Sequence, residues 1–151
     1  MAIEVERRFL VEDKCWLSFA EHAQPLRQGY LASTIGGWTV RIRILAKEKA
    51  WLTLKAPKSR VMNHEFEYLI PIKDAESIWN LVPYQITKTR YQLNIQGGDW
   101  IVDCFQGANS PLVIAEVELS SDQEIFEEPP PPLVKKSYRV LISQSKIVNF
   151  S

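Results

Sequence analysis

Glu4-Val5-Glu6-Arg7-Arg8 stands near the start of this 151-residue chain, inside a segment that alternates polar and apolar residues from position 3 to position 11. Successive side chains of a β-strand point to opposite faces, so a period of two predicts a strand. The even positions of the stretch place two carboxylates and a guanidinium on one face, about 7 Å apart at about 3.3 Å per residue. The odd positions of the segment, apart from Arg7, are apolar.

Pairs of like charges at positions i and i+2 recur in four later segments. One such pair is typical of an ordinary strand that faces solvent. Five pairs in one chain indicate instead a sheet whose charged face encloses a space with acidic and basic walls, and whose other face is apolar. The later pairs are Arg41 and Arg43, Glu65 and Glu67, Lys88 and Arg90, and Glu116 and Glu118.

The segments that carry these pairs predict eight strands in a single domain over 1–151. The other seven strands are expected at 26–32, 38–45, 50–55, 62–72, 84–96, 100–105 and 112–119. Short turns join most of them, which favours an antiparallel sheet that closes, since closure removes exposed edges. The predicted fold class is mainly β, an eight-stranded antiparallel closed β-barrel with short helices packed outside.

Helices are expected outside this barrel. The patterns predict helices at 15–23, 75–81 and 136–146, a helical turn at 122–128 and an extended proline segment at 129–132.

The charged interior limits what the barrel can hold. An eight-stranded barrel has room for side chains or one small ligand. Burial of so many Glu, Arg, Lys and Asp side chains without solvent or a ligand would be very costly. We therefore expect a water-filled tunnel that receives a charged molecule.

Composition narrows the classes of partner. Eighteen Lys and Arg residues balance eighteen Asp and Glu residues, which argues against a general nucleic-acid or membrane-surface binder. No apolar run is long enough to span a bilayer, and the N-terminus is charged within four residues, which excludes a signal peptide. We therefore expect a cytoplasmic protein with no nucleic-acid and no membrane partner.

The two kinds of wall suit different parts of one ligand. Guanidinium groups suit bidentate contact with phosphate, and Lys55 adds a further donor. The acidic pairs would repel phosphate unless a cation lay between them. Mg²⁺ or Mn²⁺ fits, because hard cations are commonly shared between carboxylates and substrate phosphates. The residues predict a metal–polyphosphate site.

Eight blocks, in order along most of the chain, carry a family resemblance. They are Glu4–Val11, Gln28–Leu31, Val40–Arg43, Leu52–Lys55, Glu65–Tyr68, Lys88–Tyr91, Trp100–Phe105 and Ala115–Leu119. Together they resemble the CYTH domain family, the triphosphate tunnel metalloenzymes. The resemblance implies an eight-stranded tunnel and an enzyme that hydrolyses inorganic, nucleoside or thiamine triphosphate, or cyclises ATP. It also allows a homodimer, although no stretch of the sequence marks an interface.

The resemblance assigns roles residue by residue. Catalytic positions correspond to Glu4, Glu6 and Arg8. Metal ligands correspond to Glu4, Glu6 and Glu118, with Glu116 nearby. Substrate-binding positions are the basic residues Arg41, Arg43, Lys55, Lys88 and Arg90. Acidic positions that hold the basic side chains or a second metal are Glu65, Glu67 and Asp103.

Two features depart from the family pattern. Arg8 stands where the family has lysine, and arginine cannot lose its proton near neutral pH, so Arg8 should bind charge rather than act as a base. We expect a slow enzyme in which Arg8→Lys raises the rate constant of hydrolysis. A pure charge clamp would instead lose a little affinity and gain no rate. The segment 133–140 lacks the family's Glu, Thr and Asn, and Lys136 is its candidate for a basic, substrate-binding role at the tunnel mouth.

Metal-dependent hydrolysis of inorganic triphosphate to diphosphate and phosphate is the function that these observations favour. Two alternatives stay open. Arg8 and the altered C-terminal segment favour a binding module that senses or stores phosphorylated ligands with little catalysis. A β-barrel could also bind nucleic acid through Arg41, Arg43, Lys88 and Arg90, but inward carboxylate pairs and zero net charge oppose this.

Overall fold

The computed structural model describes residues 3–59, 62–96 and 98–119. Its strands are β1 (Ile3–Leu10), β2 (Ala20–Ser33), β3 (Thr39–Leu45), β4 (Lys49–Pro57), β5 (Met62–Ile70), β6 (Tyr84–Leu93), β7 (Asp99–Phe105) and β8 (Val113–Glu118). One α-helix in this described part, α1 (Ile72–Trp79), follows β5. Short 3₁₀ segments lie at Cys15–Phe19 and Gly107–Asn109.

The strands form a closed barrel in the order β1-β5-β4-β3-β2-β6-β7-β8, and each neighbouring pair is antiparallel. This confirms the predicted fold. β1 closes the barrel because its first and second halves pair with different strands. Ile3 to Val5 pair with β5, and Glu6 to Leu10 pair with β8. The stretch from Glu4 to Arg8 therefore lies at the seam.

The outer face of the barrel at β1, β7 and β8 is mostly apolar, as the alternation predicts. Odd-numbered Val5 and Phe9 of β1 pack with Trp100 and Val102 of β7 in one buried cluster. The rings of Phe9 and Trp100 lie 5.7 Å apart between centroids. Such aromatic pairs add about 0.5–1.5 kcal/mol beyond the burial of their area. This layer fixes the strands from outside and leaves the even positions of β1 to the interior.

One end of the interior is apolar rather than charged. Tyr30, Ile86, Phe105 and Ile114 form a buried cluster, which we call the apolar floor. Three of its members continue inward rows of charges: Ile86 precedes Lys88, Ile114 precedes Glu116 and Phe105 follows Asp103, each by two residues. The expectation of a water-filled tunnel throughout is therefore wrong at this end, because these side chains bury one another.

The helix expected at 15–23 is also wrong. Only Cys15–Phe19 turns, as a 3₁₀ segment, and Ala20 already pairs with Leu93 of β6. A short helix is marginal by itself, so strand pairing prevails. Trp16 anchors the segment: its side chain is buried, and its ring lies 5.3 Å from that of Tyr91.

The helix expected at 75–81 begins earlier, at Ile72, and ends at Trp79. Asp74 does not cap it, but its carboxylate lies in the first turn, where the helix dipole favours a negative charge. Ala75 packs against Ile42 and Ile44 on the outside of β3. The elements predicted at 122–128, 129–132 and 136–146 lie outside the described residues. Within those residues, no helix combines the length and the apolar character needed to cross a membrane.

Candidate functional site

A cavity of about 690 Å³ lies inside the barrel, and charged side chains line it. Most of the predicted site residues meet there, although they come from six strands. They are Glu4, Glu6, Arg41, Arg43, Lys55, Glu65, Glu67, Arg90, Glu116 and Glu118. The alternation of the strands therefore places acidic and basic side chains around one cavity.

Four lining residues were not predicted as part of the site: Ile3, Gln92, Asp99 and Ile101. Asp99 lies just before the strand predicted at 100–105, yet it is the first residue of β7. Asp99 and Ile101 share the face of Asp103, and Gln92 extends the inward row of Lys88 and Arg90. If the two-residue period had been continued along the whole of β6 and β7, the sequence would have predicted Gln92, Asp99 and Ile101 as lining residues.

Glu4, Glu6 and Glu116 form the acidic wall of the cavity. One carboxylate oxygen from each lies within 4.8 Å of the others, and we call these residues the acidic triad. Burial raises the pKa of Glu6 well above its usual range, and the nearby Glu116 carboxylate adds to this. Burial and a neighbouring carboxylate also raise the pKa of Glu4, and oxygen donors that are disfavoured as anions suit a hard divalent cation. Glu118 lines the same cavity but is exposed and lies outside the triad.

Arg8 lies between Glu6 and Leu10 on β1, toward the apolar floor. Its Nε donates to Glu116 Oε2 at 3.1 Å, and a terminal nitrogen donates to Glu6 Oε1. Burial raises the pKa of Glu116 by itself, but Arg8 prevails and holds that pKa well below the usual range. Burial likewise opposes the charge of Arg8, yet Glu6 and Glu116 raise the pKa of its guanidinium. Arg8 therefore keeps its proton and pairs with carboxylates.

Lys55 joins the acidic triad to β5. Its Nζ lies 2.6 Å from Glu4 Oε2 and 3.3 Å from Glu65 Oε2. The pKa of Glu4 is nevertheless raised, first because Glu4 is buried and further because Glu65 is close. Lys55 is thus held between two carboxylates at the cavity surface, with its charge directed toward the acidic wall.

Arg41, Arg43 and Arg90 face the same cavity, and we call them the arginine triad. The pKa of Arg43 is lowered to about 10 by burial and by repulsion from Arg41 and Arg90. Arg43 Nε is buried and has no hydrogen-bond partner among the described residues. Repelling cations with an unused donor form a site that an anion would stabilise.

Asp103 fixes the orientation of Arg90. Arg90 Nε donates to Asp103 Oδ1 at 2.8 Å, and a terminal nitrogen donates to Oδ2 at 3.0 Å. Burial acts to raise the pKa of Asp103, but Lys88 and Arg90 together lower it. A two-point fork of this kind holds the guanidinium plane in one direction.

Lys88 lies between Arg90 and the apolar floor on β6 and has no exposed surface. Its Nζ donates to Asp103 Oδ2 at 2.7 Å and lies 5.3 Å from the centre of the Phe105 ring. Burial lowers the pKa of Lys88 to about 7, despite the opposing effect of Asp103. The structure thus places Lys88 below the cavity rather than on its surface. The other basic candidate, Lys136, lies outside the described residues.

Lys88 should make the stability of the folded chain depend on pH. The pKa of its amine is about 7 when folded and about 10.5 when unfolded, so the unfolded chain binds more protons between these values. The free energy of unfolding of the wild type should therefore rise with pH from about pH 7 upward, relative to Lys88→Met. Urea denaturation of both proteins from about pH 6 to about pH 9 measures this difference. A difference that stays constant over that range would contradict the buried, weakly basic amine.

Known proteins resemble this chain over most of its length. The CYTH domain model matches residues 2–146. The inorganic triphosphatase of Acetivibrio thermocellus is 34% identical over 131 residues, covering 85% of this chain and 82% of that protein. The inorganic triphosphatase of Nitrosomonas europaea is 34% identical over 134 residues, covering 85% and 84%. A solved crystal structure of an inorganic triphosphatase is 32% identical with a TM-score of 0.59, covering 92% of this chain and 88% of that one. The sequence blocks, the closed barrel and these matches agree, and the chain belongs to the CYTH domain family.

Proposed function

We propose that this chain hydrolyses inorganic triphosphate to diphosphate and phosphate inside the barrel, with Mg²⁺ or Mn²⁺ as cofactor. One observation carries the proposal: the acidic triad and the arginine triad face a single cavity of about 690 Å³. A polyanion with a bound divalent cation complements both walls at once, whereas either ion alone complements one. The two relatives that are inorganic triphosphatases support the choice of substrate.

The arginine triad binds the phosphate chain in this proposal. Each guanidinium offers several fixed donors in a plane, which matches the oxygens of a phosphoryl group. Arg90 is oriented by Asp103 before any ligand arrives, and Arg43 has a buried donor available. Fixed donors stabilise the charge on phosphoryl oxygens in the transition state without the cost of reorganisation.

The acidic triad holds the divalent cation in this proposal. The fit rests on the donor set, since Glu4, Glu6 and Glu116 bring carboxylate oxygens within 4.8 Å of one another. Mg²⁺ and Mn²⁺ prefer such oxygen ligands. When bound, the ion neutralises phosphoryl oxygens and promotes attack by water. Lys55 keeps Glu4 at the wall through its 2.6 Å contact.

A phosphate-release panel tests the proposal. Inorganic triphosphate, ATP and thiamine triphosphate are each incubated with the protein, with Mg²⁺, with Mn²⁺ and with a chelator. We expect the fastest release from inorganic triphosphate and no release once the metal is chelated. Fastest release from ATP or thiamine triphosphate would overturn the substrate, and release in chelator would overturn the cofactor. Tight binding of triphosphate without turnover would favour the binding module that Arg8 suggests.

A further inference from the structure

We propose that Arg8 is a positioning residue, which fixes Glu6 and Glu116 so that their remaining carboxylate oxygens face a divalent cation together with Glu4. This inference rests on the proposed function for its cation. It gives the arginine a task that suits a rigid, planar fork better than a single amine.

The contacts of Arg8 reach two carboxylates at once. Nε donates to Glu116 on β8 at 3.1 Å, and a terminal nitrogen donates to Glu6 on the same strand as Arg8. Arg8 and Glu116 are direct partners across the β1–β8 ladder, so the backbone fixes the distance that the guanidinium spans. Each carboxylate has two oxygens, and each uses one of them for Arg8. Glu6 and Glu116 also hydrogen-bond to each other, and a cation that replaced this bond would gain an oxygen from each carboxylate.

Arg8 approaches from the side away from the cavity. It lies next to Leu10, which packs against the apolar floor, and only 12% of its side chain is exposed. Glu6 and Glu116 stand between it and the space that they line. A group in this place can orient metal ligands, as outer partners do in many metal sites.

Arg8 has two opposing effects on the binding of a divalent cation, and they predict opposite changes in affinity when Arg8 is replaced. Its positive charge repels a divalent cation, so simple electrostatics predicts tighter metal binding when Arg8 is neutralised. Positioning predicts the reverse, because Glu6 and Glu116 would lose their common anchor and repel each other. Lysine has one nitrogen in place of the fixed fork, so Arg8→Lys should hold the two carboxylates less firmly than arginine does. We therefore expect no gain of rate in Arg8→Lys, which differs from the expectation drawn from the sequence alone.

The test measures Mn²⁺ affinity by calorimetry without triphosphate. The proteins are the wild type, Arg8→Gln, Arg8→Lys and, as a matched control, Arg7→Gln, which removes the same charge from the opposite face of β1. We expect the Kd for Mn²⁺ to rise about 10- to 100-fold in Arg8→Gln, the range for loss of an outer partner. Arg8→Lys should fall between Arg8→Gln and the wild type, and Arg7→Gln should match the wild type.

An unchanged or lower Kd in Arg8→Gln would overturn the positioning role, even if the wild type binds Mn²⁺ and hydrolyses triphosphate. Urea denaturation verifies that each variant folds. If Arg8→Gln does not fold, Arg8→Lys decides, and a Kd equal to that of the wild type overturns the role. A wild type that hydrolyses triphosphate without binding Mn²⁺ also overturns it, whereas Mn²⁺ binding without hydrolysis overturns only the proposed function.

Discussion

Replacing Glu6 or Glu116 with glutamine should lower kcat/KM for inorganic triphosphate by about a hundredfold or more, a loss typical when a fixed electrostatic contact to the transition state is removed. Glutamine keeps the shape of the side chain but loses the negative charge that a hard cation needs. Both carboxylates also accept hydrogen bonds from Arg8. Each substitution therefore removes a charged cation ligand and also weakens a contact that orients the acidic triad. Steady-state phosphate release over a range of metal concentrations measures the effect.

Glu118→Gln provides the matched comparison. The sequence placed Glu118 with Glu6 as a metal ligand, but in the structure it is exposed and lies outside the acidic triad. We therefore expect a smaller loss in Glu118→Gln than in either triad variant, with the metal dependence retained. Equal losses in all three variants would show that the cation site extends to Glu118. Full activity in Glu6→Gln and Glu116→Gln would refute the assignment of the acidic triad.

Arg43→Met should weaken triphosphate binding by about 1.5–3 kcal/mol, the range for a hydrogen bond to a charged group, or roughly 10- to 150-fold. The same change should leave the ligand-free protein as stable as the wild type or more stable. The reason is that burial, together with repulsion from Arg41 and Arg90, disfavours the charge of Arg43, as its lowered pKa of about 10 reflects. Calorimetry with inorganic triphosphate and urea denaturation without ligand measure the two quantities.

A substitution that weakens triphosphate binding without lowering the stability of the ligand-free protein identifies a residue that contacts the ligand. A structural residue would show the reverse. Arg43→Lys is the control, because it keeps the charge and loses the fork. Its affinity should lie between those of Arg43→Met and the wild type. A loss of stability in Arg43→Met with unchanged affinity would show that Arg43 supports the barrel and does not bind phosphate.

The sequence was sufficient for the barrel and for most of its inner surface because a strand has a period of two. Once Glu4 and Glu6 were placed inward, the other charge pairs followed from the same rule, and all of their members except Lys88 line the cavity. Strand ends were less certain. Asp99 resembles a turn residue in sequence, and only its pairing with Glu118 makes it the start of β7.

The alternation of polar and apolar residues shows which side chains point into the barrel, but not how far along the barrel axis each one lies. Lys88 and Arg90 share one face of β6, yet Arg90 lines the cavity and Lys88 is sealed beneath it. Depth depends on the tilt and stagger of the strands, which local sequence does not specify. The apolar floor escaped prediction for the same reason: Tyr30 and Phe105 meet only because their strands are brought together by the closed sheet.

The most direct test of the central claim is a crystal structure of the protein with Mn²⁺ and a non-hydrolysable triphosphate analogue, with the metal located by its anomalous scattering. We expect an anomalous peak at Glu4, Glu6 and Glu116, and analogue density between that peak and the side chains of Arg43 and Arg90. A peak on the outer surface, or an analogue bound outside the barrel with the cavity filled only by solvent, would contradict it.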